Sequence, residues 1–500
     1  MNAQDTSLHK AIRPDADFVV EPIEVMAVNR PAERQLYASR QKIYPRLAHG
    51  RFRTLKWMLM AVALGVYYAL PWLRWHRGTE LPDQAVLIDV TNGRLFFFGL
   101  EIWPQELYLV TGLLVIAALG LFLVTSLFGR VWCGYFCPQT VWTDLMIAVE
   151  RLWQGDRNAR IRLDKEPWGP VKIFKKTMTH LTWLAVAVAT GGALVFYFRD
   201  APTLARELVT GEAPAISYLF LGIFAFTTYL LGGIAREQVC IYMCPWPRIQ
   251  GAMFDSDSLL VSYREFRGEP RGPLRKSQGW EGRGDCIDCK ACVAVCPMGI
   301  DIRDGAQLEC IQCALCIDAC DDIMDKVRRP RGLIAYDTFR NLEAGKHGER
   351  ARIRLLRPRT VLYSGLVAIA CALTLWATVS RAVVELNVLS DRSPLYVTLS
   401  DGSIRNAYTV KILSKRYDTR TFALRIEGLA GAGFKVLGAE NEAVPKVEVP
   451  PDTLREVRVF VTVDRASLEQ LPPARANFRF VAEDAQDGTT AKRESDFRRP

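Results

Sequence analysis

Five uncharged apolar runs, a 35-residue stretch holding eight of the thirteen cysteines, and a closing tail of short alternating segments predict a multi-domain membrane protein. The expected parts are a five-helix α transmembrane region, a two-cluster bacterial ferredoxin-like α+β insert and a C-terminal all-β immunoglobulin-like sandwich. The composition agrees with this division. Half of the 500 residues are hydrophobic and 24% are charged, so apolar segments must alternate with highly charged ones. That apolar content excludes a disordered chain, and 35 glycines are far too few for a collagen-like one.

The apolar runs are Trp57–Leu73, Leu107–Phe128, Thr177–Phe198, Ala213–Ala235 and Thr360–Ser380. None contains Lys, Arg, Asp or Glu. A bilayer core needs about 20 helical residues at ~1.5 Å each. The first run is short and extends past Arg74, whose side chain can snorkel. Lys and Arg number 10 in residues 1–56, three in 74–105, nine in 129–176 and two in 199–214, and 236–359 is basic again. This alternation places the N-terminus and the fourth connection on the cytoplasmic side and the C-terminal tail outside. The net charge of +10 is then a topology signal and not the mark of a nucleic-acid partner. Residues 1–50 lack an apolar signal core, so the first helix is expected to act as an uncleaved signal. The expected divisions are a cytoplasmic segment 1–56, a four-helix region 57–254, a ferredoxin domain 255–358, a fifth helix 359–384 and a periplasmic domain 385–500.

Within the fourth connection, Cys286, Cys289, Cys292 and Cys296 form a C-x-x-C-x-x-C-x-x-x-C run followed by Pro297. Cys310, Cys313, Cys316 and Cys320 repeat it 24 residues later, followed by Asp321 where Pro is usual. A tight loop can aim three thiolates at three corners of one cubane, and the fourth Cys of each run ligates the other cluster. The expected sets are Cys286, Cys289, Cys292 and Cys320 for one 4Fe–4S cluster, and Cys310, Cys313, Cys316 and Cys296 for the other. Zinc motifs use paired C-x-x-C instead, and disulfides are disfavoured in a reducing cytoplasm. The flanks 255–285 and 325–358, rich in Arg, Gly, Asp and Glu, read as linkers or surface-lying segments.

Four more cysteines form a second repeat. Cys133-Gly134-Tyr135-Phe136-Cys137-Pro138 and Cys240-Ile241-Tyr242-Met243-Cys244-Pro245 lie 107 residues apart, each just after an even-numbered apolar run. Both halves enter from the same side, so a parallel repeat about the membrane normal lets the two motifs meet. If locally helical, Cys at i and i+4 share a face, and the following Pro breaks the helix. Four sulfurs in one site at the membrane edge suit Cu(I), zinc, an iron–sulfur cluster or redox thiols. His180 in the third run is a weaker candidate for a metal or proton role. Met58, Met60, Met178 and Met243 are candidate soft ligands, though membrane Met more often packs, and Cys371 reads as a packing residue. No two His stand at the spacing of a haem pair, and no glycine-rich loop follows a strand as a dinucleotide site requires.

In the tail, segments 396–399, 408–413, 421–426, 434–437, 446–449, 457–463 and 477–481 alternate apolar and polar residues between turn signals. About seven strands at this spacing predict the sandwich. The hallmark Cys pair is missing, so the core alone must hold it. A docking surface for a periplasmic partner is the natural role, and a passive folding cap the plainer one.

The chain resembles the CcoG/FixG/RdxA family, the cytochrome c oxidase accessory proteins. The resemblance rests on Lys42-Ile43-Tyr44-Pro45-Arg46, Gly50-Arg51-Phe52-Arg53, the stretch from Gly129 to Trp142, the second Cys-Pro motif, the double ferredoxin run and the tail. It implies a polyferredoxin of the bacterial inner membrane with its tail in the periplasm, a cupric reductase that turns Cu(II) into Cu(I) during assembly of cbb3-type oxidase. It carries catalytic and metal-site roles to Cys133, Cys137, Cys240 and Cys244, and cluster roles to the eight insert cysteines. The implied cofactors are two 4Fe–4S clusters and copper. The implied partners are oxidase assembly factors or a copper chaperone or exporter, and a cytoplasmic electron donor; a homodimer stays open. Rival readings are a plain electron-transfer polyferredoxin serving a quinone or periplasmic acceptor, and a non-enzymatic assembly scaffold.

Overall fold

The structure, a computed structural model, describes residues 22–29, 41–77, 81–274, 280–349, 352–416, 418–438, 444–472 and 474–500. Residues 1–21 and 30–40 of the expected N-terminal segment lie outside the described residues. The chain divides into two compact units, 1–75 with 84–375, and 76–83 with 376–500.

Five helices are long and apolar enough to cross a membrane: Arg51–Trp72, Pro104–Phe128, Pro170–Val195, Ala215–Ala235 and Pro358–Val379. The first and third begin six to seven residues before their uncharged runs. The early charged residues are used rather than excluded: Lys172 Nζ donates to the carbonyls of Asp164 (3.0 Å) and Glu166 (2.5 Å). In order, the first unit opens with α1 (Arg51–Ala69) and the antiparallel sheet β1 (Val86–Asp89), β2 (Arg94–Phe97) and β3 (Leu100–Ile102). Then come α2 (Leu107–Phe128), α3 (Val131–Tyr135), α4 (Pro138–Gln154), α5 (Arg157–Lys165), α6 (Pro170–Val195), α7 (Ala201–Thr210) and α8 (Ala215–Thr228). The fourth span does not finish as an α-helix. It widens into a π-helix at Tyr229–Ala235, and a second π-turn, Val239–Met243, carries Cys240. Such turns are rare and concentrate at functional sites. α9 (Trp246–Ala252) follows.

α4 is amphipathic, and its inner face carries Glu150, which pairs with Arg160 (3.0 Å), Arg236 (3.0 Å) and Lys42 (3.2 Å). This buried ion network ties the chain before α1, α5 and the end of the fourth span to α4.

The insert contains β4 (Leu260–Tyr263), α10 (Glu265–Gly268), α11 (Ala291–Ala294), α12 (Leu315–Lys326), β5 (Ile334–Asp337) and α13 (Phe339–Lys346), before α14 (Pro358–Val379). Its flanks correct the reading of 255–285 and 325–358 as linkers. β4 and β5 pair antiparallel from Leu260–Asp337 to Tyr263–Ile334 and close the insert. The flanks are charge-rich because ion pairs tie them together: Arg264 with Asp337 at 2.8 Å, Arg267 with Asp285 at 2.5 Å and Arg340 with Asp257 at 2.7 Å.

The second unit is a two-sheet sandwich. One sheet runs β10 (Ala432–Val436), β12 (Thr453–Val463), β8 (Ile404–Ser414) and β6 (Val384–Ser390), with β7 (Val397–Thr398) also on β8. The other runs β11 (Lys446–Val449), β9 (Arg420–Glu427), β13 (Arg475–Asp484) and β14 (Thr490–Arg498). Inward residues alternate along β8, and Tyr408, Val410, Phe422, Val461, Phe480 and Phe497 are wholly buried. Tyr408 stacks edge-on to Phe480 at 5.3 Å and donates its hydroxyl to the carbonyl of Asp496. Packing of this kind replaces the missing cystine.

Candidate metal centres

The two cysteine runs fold as copies of one loop. Asp288 and Lys290 have φ of 53° and 57°, and their counterparts 24 residues on, Gln312 and Ala314, have 57° and 60°. Left-handed backbone at side-chain-bearing residues is costly and persists only where the surroundings impose it. It turns each chain sharply into α11 or α12, so that the cysteine sulfurs face inward.

Two cavities result. One is lined by Cys286, Cys289, Cys292 and Cys320. The other is lined by Cys296, Cys310, Cys313 and Cys316, with Cys292 in the shared wall. The remaining lining of each is mostly Ile, Leu, Val, Met and Ala. Burial pushes the Cys296 thiol up to about 12 and that of Cys310 up to about 11. Neither ionises at neutral pH until a cation replaces the proton. Apolar cavities lined by four cysteines each have the donor set that an iron–sulfur cluster takes. Among the described residues, no three His, Cys, Asp or Glu side chains converge closely enough for a single metal ion.

The paired Cys-Pro motifs meet beside the second cavity. Burial and the neighbouring Cys137 push the Cys133 thiol up to about 12, with Arg130 opposing. Burial, then Cys137, Cys133 and Cys244, push Cys240 up to about 12. Cys133 and Cys240 therefore each lie within electrostatic reach of the other three motif sulfurs. Cys133 sits in α3 and Cys240 in the π-turn, while Cys137 and Cys244 have left helical geometry just before Pro138 and Pro245. The i, i+4 helical pairing is thus broken at the second Cys of each motif. Cys133 Sγ donates to Gln250 Oε1 at 3.2 Å. Cys244 and Met243 are exposed, and an open cavity at the second motif is lined by Cys240, Met243, Cys244, Arg248 and Glu309.

Contact between the motifs and the insert is direct. Cys133, Cys240, Cys296, Cys310 and Cys316 pack against one apolar cluster that includes Ile311 and Cys313. A Cβ on Gly134 would stand 2.8 Å from the carbonyl oxygen of Ile311 and 3.0 Å from that of Gln312. Only glycine allows so close an approach. Tyr135 donates its hydroxyl to the carbonyl of Cys313 at 3.2 Å.

The weaker candidates fare differently. His180 Nδ1 lies 2.8 Å from the Tyr229 hydroxyl and its ring meets Trp183 edge-on, a packed and hydrogen-bonded role. Cys371 is exposed on α14. Sequence reasoning missed Arg130, Gln250 and Arg303. Arg130 had a legible signal: it and Arg236 each follow an apolar run and shortly precede a Cys-Pro motif.

Residues 235–339 match the 4Fe-4S dicluster domain, and residues 110–154 a 4Fe-4S binding domain. Residues 374–500 match the family described as the IG-like fold at the C-terminal of FixG. A crystal structure of a FixG-related protein from Vibrio parahaemolyticus aligns with 24% of this chain and 98% of that one, at 19% identity and a TM-score of 0.21. The protein RdxA of Cereibacter sphaeroides is 51% identical over 86% of this chain and 91% of its own length. The nitrogen fixation protein FixG of Rhizobium meliloti is 49% identical over 94% of this chain and 95% of its own. With identity of this degree along almost the whole length, the chain belongs to the family of FixG and RdxA, and it carries 4Fe-4S domains beside five helices long and apolar enough to cross a membrane.

Proposed function

We propose that this protein is a membrane-bound electron-transfer protein that reduces Cu(II) to Cu(I) at its paired Cys-Pro motifs, in the service of cbb3-type oxidase assembly. Cys286, Cys289, Cys292 and Cys320 hold one cluster, and Cys296, Cys310, Cys313 and Cys316 the other. When bound, the clusters supply single electrons. The chain's own residues do the rest. Apolar walls keep water from the cysteine sulfurs, and Gly134 and Tyr135 hold the first motif against the loop of Cys313.

The observation that carries the reading is this shared wall between the motif cysteines and the second cluster cavity. Cu(II) enters as substrate at the open cavity of Cys240, Met243 and Cys244, takes one electron, and leaves as Cu(I) to a chaperone or exporter. Thiolate and thioether ligands favour the reduced ion. The alternation of Lys and Arg across the spans supports an insert and motifs facing the cytoplasm and a periplasmic tail.

The test is a single anaerobic mixing experiment. Reduced protein, freed of excess reductant, receives one equivalent of Cu(II), and cluster oxidation and Cu(I) formation are followed together. Both signals rise together in the wild type. In a Cys133→Ser/Cys240→Ser variant both are lost while iron content is unchanged; wild-type activity in that variant overturns the site.

A second reading, electron transfer to a quinone, draws on a different observation. A groove lined by Ala48, His49, Arg53, Thr54 and Trp57 lies at the start of α1, and Ala48 belongs to the same apolar cluster as Cys313. Oxidation of the reduced clusters by a soluble quinone analogue, with none by Cu(II), decides for it.

A further inference from the structure

Two buried arginines stand beside the two cysteine sets, and they are compensated unequally. Arg303 lies next to the first set, with Nη1 4.0 Å from Cys286 Sγ. Its charge is met by two carboxylates, Asp301 at 2.7 Å and Asp288 at 2.6 Å. Arg130 lies next to the second set and is only 2% exposed. Its guanidinium donates to the carbonyls of Leu308, Cys310 and Pro247, and it faces the ring of Phe254 at 5.7 Å. Its peptide N–H donates to Gln312 Oε1 at 2.9 Å. Among the described residues it makes no ion pair, and its Nε has no acceptor. Glu309 lies in the same field and offsets part of it, without bonding to the guanidinium.

We propose that Arg130, bridging the loop of Cys310 to Pro247 behind the second Cys-Pro motif, is a positioning residue that holds the reduction potential of the group bound by Cys296, Cys310, Cys313 and Cys316 above that of the other. Reduction of an iron–sulfur cluster adds one negative charge. A buried cation hydrogen-bonded to neutral carbonyls, its charge offset only in part by Glu309, stabilises that charge, and low local dielectric strengthens the effect. A cation already neutralised by two carboxylates does not. Hydrogen bonds and net charge near the sulfurs are among the terms that set such potentials. The higher potential then belongs to the cavity that shares its wall with Cys133 and Cys240, and Cys133 and Cys244 feel the same cation. Electrons drawn toward Arg130 are drawn toward the Cys-Pro motifs. The inference rests on the cluster assignment proposed above, and not on copper as the acceptor.

The experiment is an anaerobic redox titration of the full chain in detergent, followed by electron paramagnetic resonance, with iron and sulfide content measured for each variant. A Cys310→Ser variant marks which signal belongs to the second set. In Arg130→Gln, that signal moves to lower potential. Its reduced-to-oxidised ratio at fixed ambient potential falls about tenfold, equal to 59 mV for one electron, while the other signal stays. Arg130→Lys keeps the charge and stays near the wild type. Glu309→Gln, which leaves Arg130 in place, moves the same signal upward, so the test survives a loss of iron in Arg130→Gln. Wild-type potentials in both Arg130→Gln and Glu309→Gln at full iron content, or a shift confined to the signal that Cys310→Ser spares, overturn the proposal. If these shifts occur in a protein that reduces no Cu(II), the copper reading falls and this one stands.

Discussion

Asp318 Oδ2 accepts the peptide N–H of Arg53 at 2.7 Å, across 265 residues of sequence, and Oδ1 accepts that of Phe52 at 3.2 Å. Asp318 stands between Cys316 and Cys320, so the helix of the second cysteine run caps the first membrane-spanning helix. α1 has no side-chain cap of its own at Gly50. A carboxylate at this end also meets the positive pole of the helix dipole. Arg53 continues the link inward, donating to Asp144 Oδ1 at 2.9 Å.

Asp318→Ala removes that cap and leaves two donors without an acceptor. The expected loss is about 1–3 kcal/mol. Asp318→Asn retains an acceptor oxygen and loses less. Thermal unfolding of the detergent-solubilised chain checks both. Equal melting of Asp318→Ala and wild type means the contact contributes nothing.

Gly134→Ala puts a methyl group where the Ile311 carbonyl oxygen lies 2.8 Å away. The first motif and the insert loop must separate by several tenths of an ångström or more. Both cysteine sets stay intact, because neither includes a residue of α3. Iron content is therefore unchanged, while Cu(II) reduction falls about 10- to 100-fold, the size of effect that small misplacements have on reacting geometry. Metal analysis and the anaerobic copper assay on one sample separate the two quantities.

Glu150 gives the chain an acid-sensitive joint. Burial alone would push its carboxyl up, but Arg236, Lys42 and Arg160 outweigh it and hold it down at about 2. A depressed folded value stabilises the protein above the unfolded carboxyl's value of about 4.3. That contribution, on the order of 3 kcal/mol, is lost as pH falls from about 4.3 through about 2. Glu150→Gln abolishes this part of the pH dependence. It also lowers stability at neutral pH by about 3–5 kcal/mol, because Arg160 and Arg236 then stay buried without their partner. Melting temperature against pH for the two proteins reads out both effects.

Much of this architecture was legible because its signals are local. Uncharged runs of bilayer length marked the five spans, and alternation marked the strands within 396–481. Strands β6 and β14 were not found. β6 follows directly on an apolar helix, and β14, Thr-Ala-Lys-Arg-Glu-Ser-Asp-Phe-Arg, is a charged strand at a sheet edge, where charge deters pairing with other chains. The π-turn at Cys240 carries no sequence mark. The spacing groups the cysteines as the two cavities do. What brings them near the Cys-Pro motifs was not legible, because Arg130 and Tyr135 bond to partners 182 and 178 residues away.

The sandwich should fail independently of the metal centres. Phe480 is wholly buried between Tyr408, Phe434 and Phe478, with ring centroids at 5.3, 6.3 and 5.0 Å. Phe480→Ala deletes a ring from a core with no disulfide to restrain it, and costs about 3–5 kcal/mol. Every cysteine of the chain lies before residue 376, in the other compact unit. Proteolysis of the variant should therefore remove the region after residue 384 first, with iron content and Cu(II) reduction unchanged. If the tail is a docking surface for oxidase assembly, oxidase accumulation in cells falls in this variant even though the purified protein still reduces copper. Unchanged accumulation with a demonstrably unfolded tail leaves the sandwich as a passive cap.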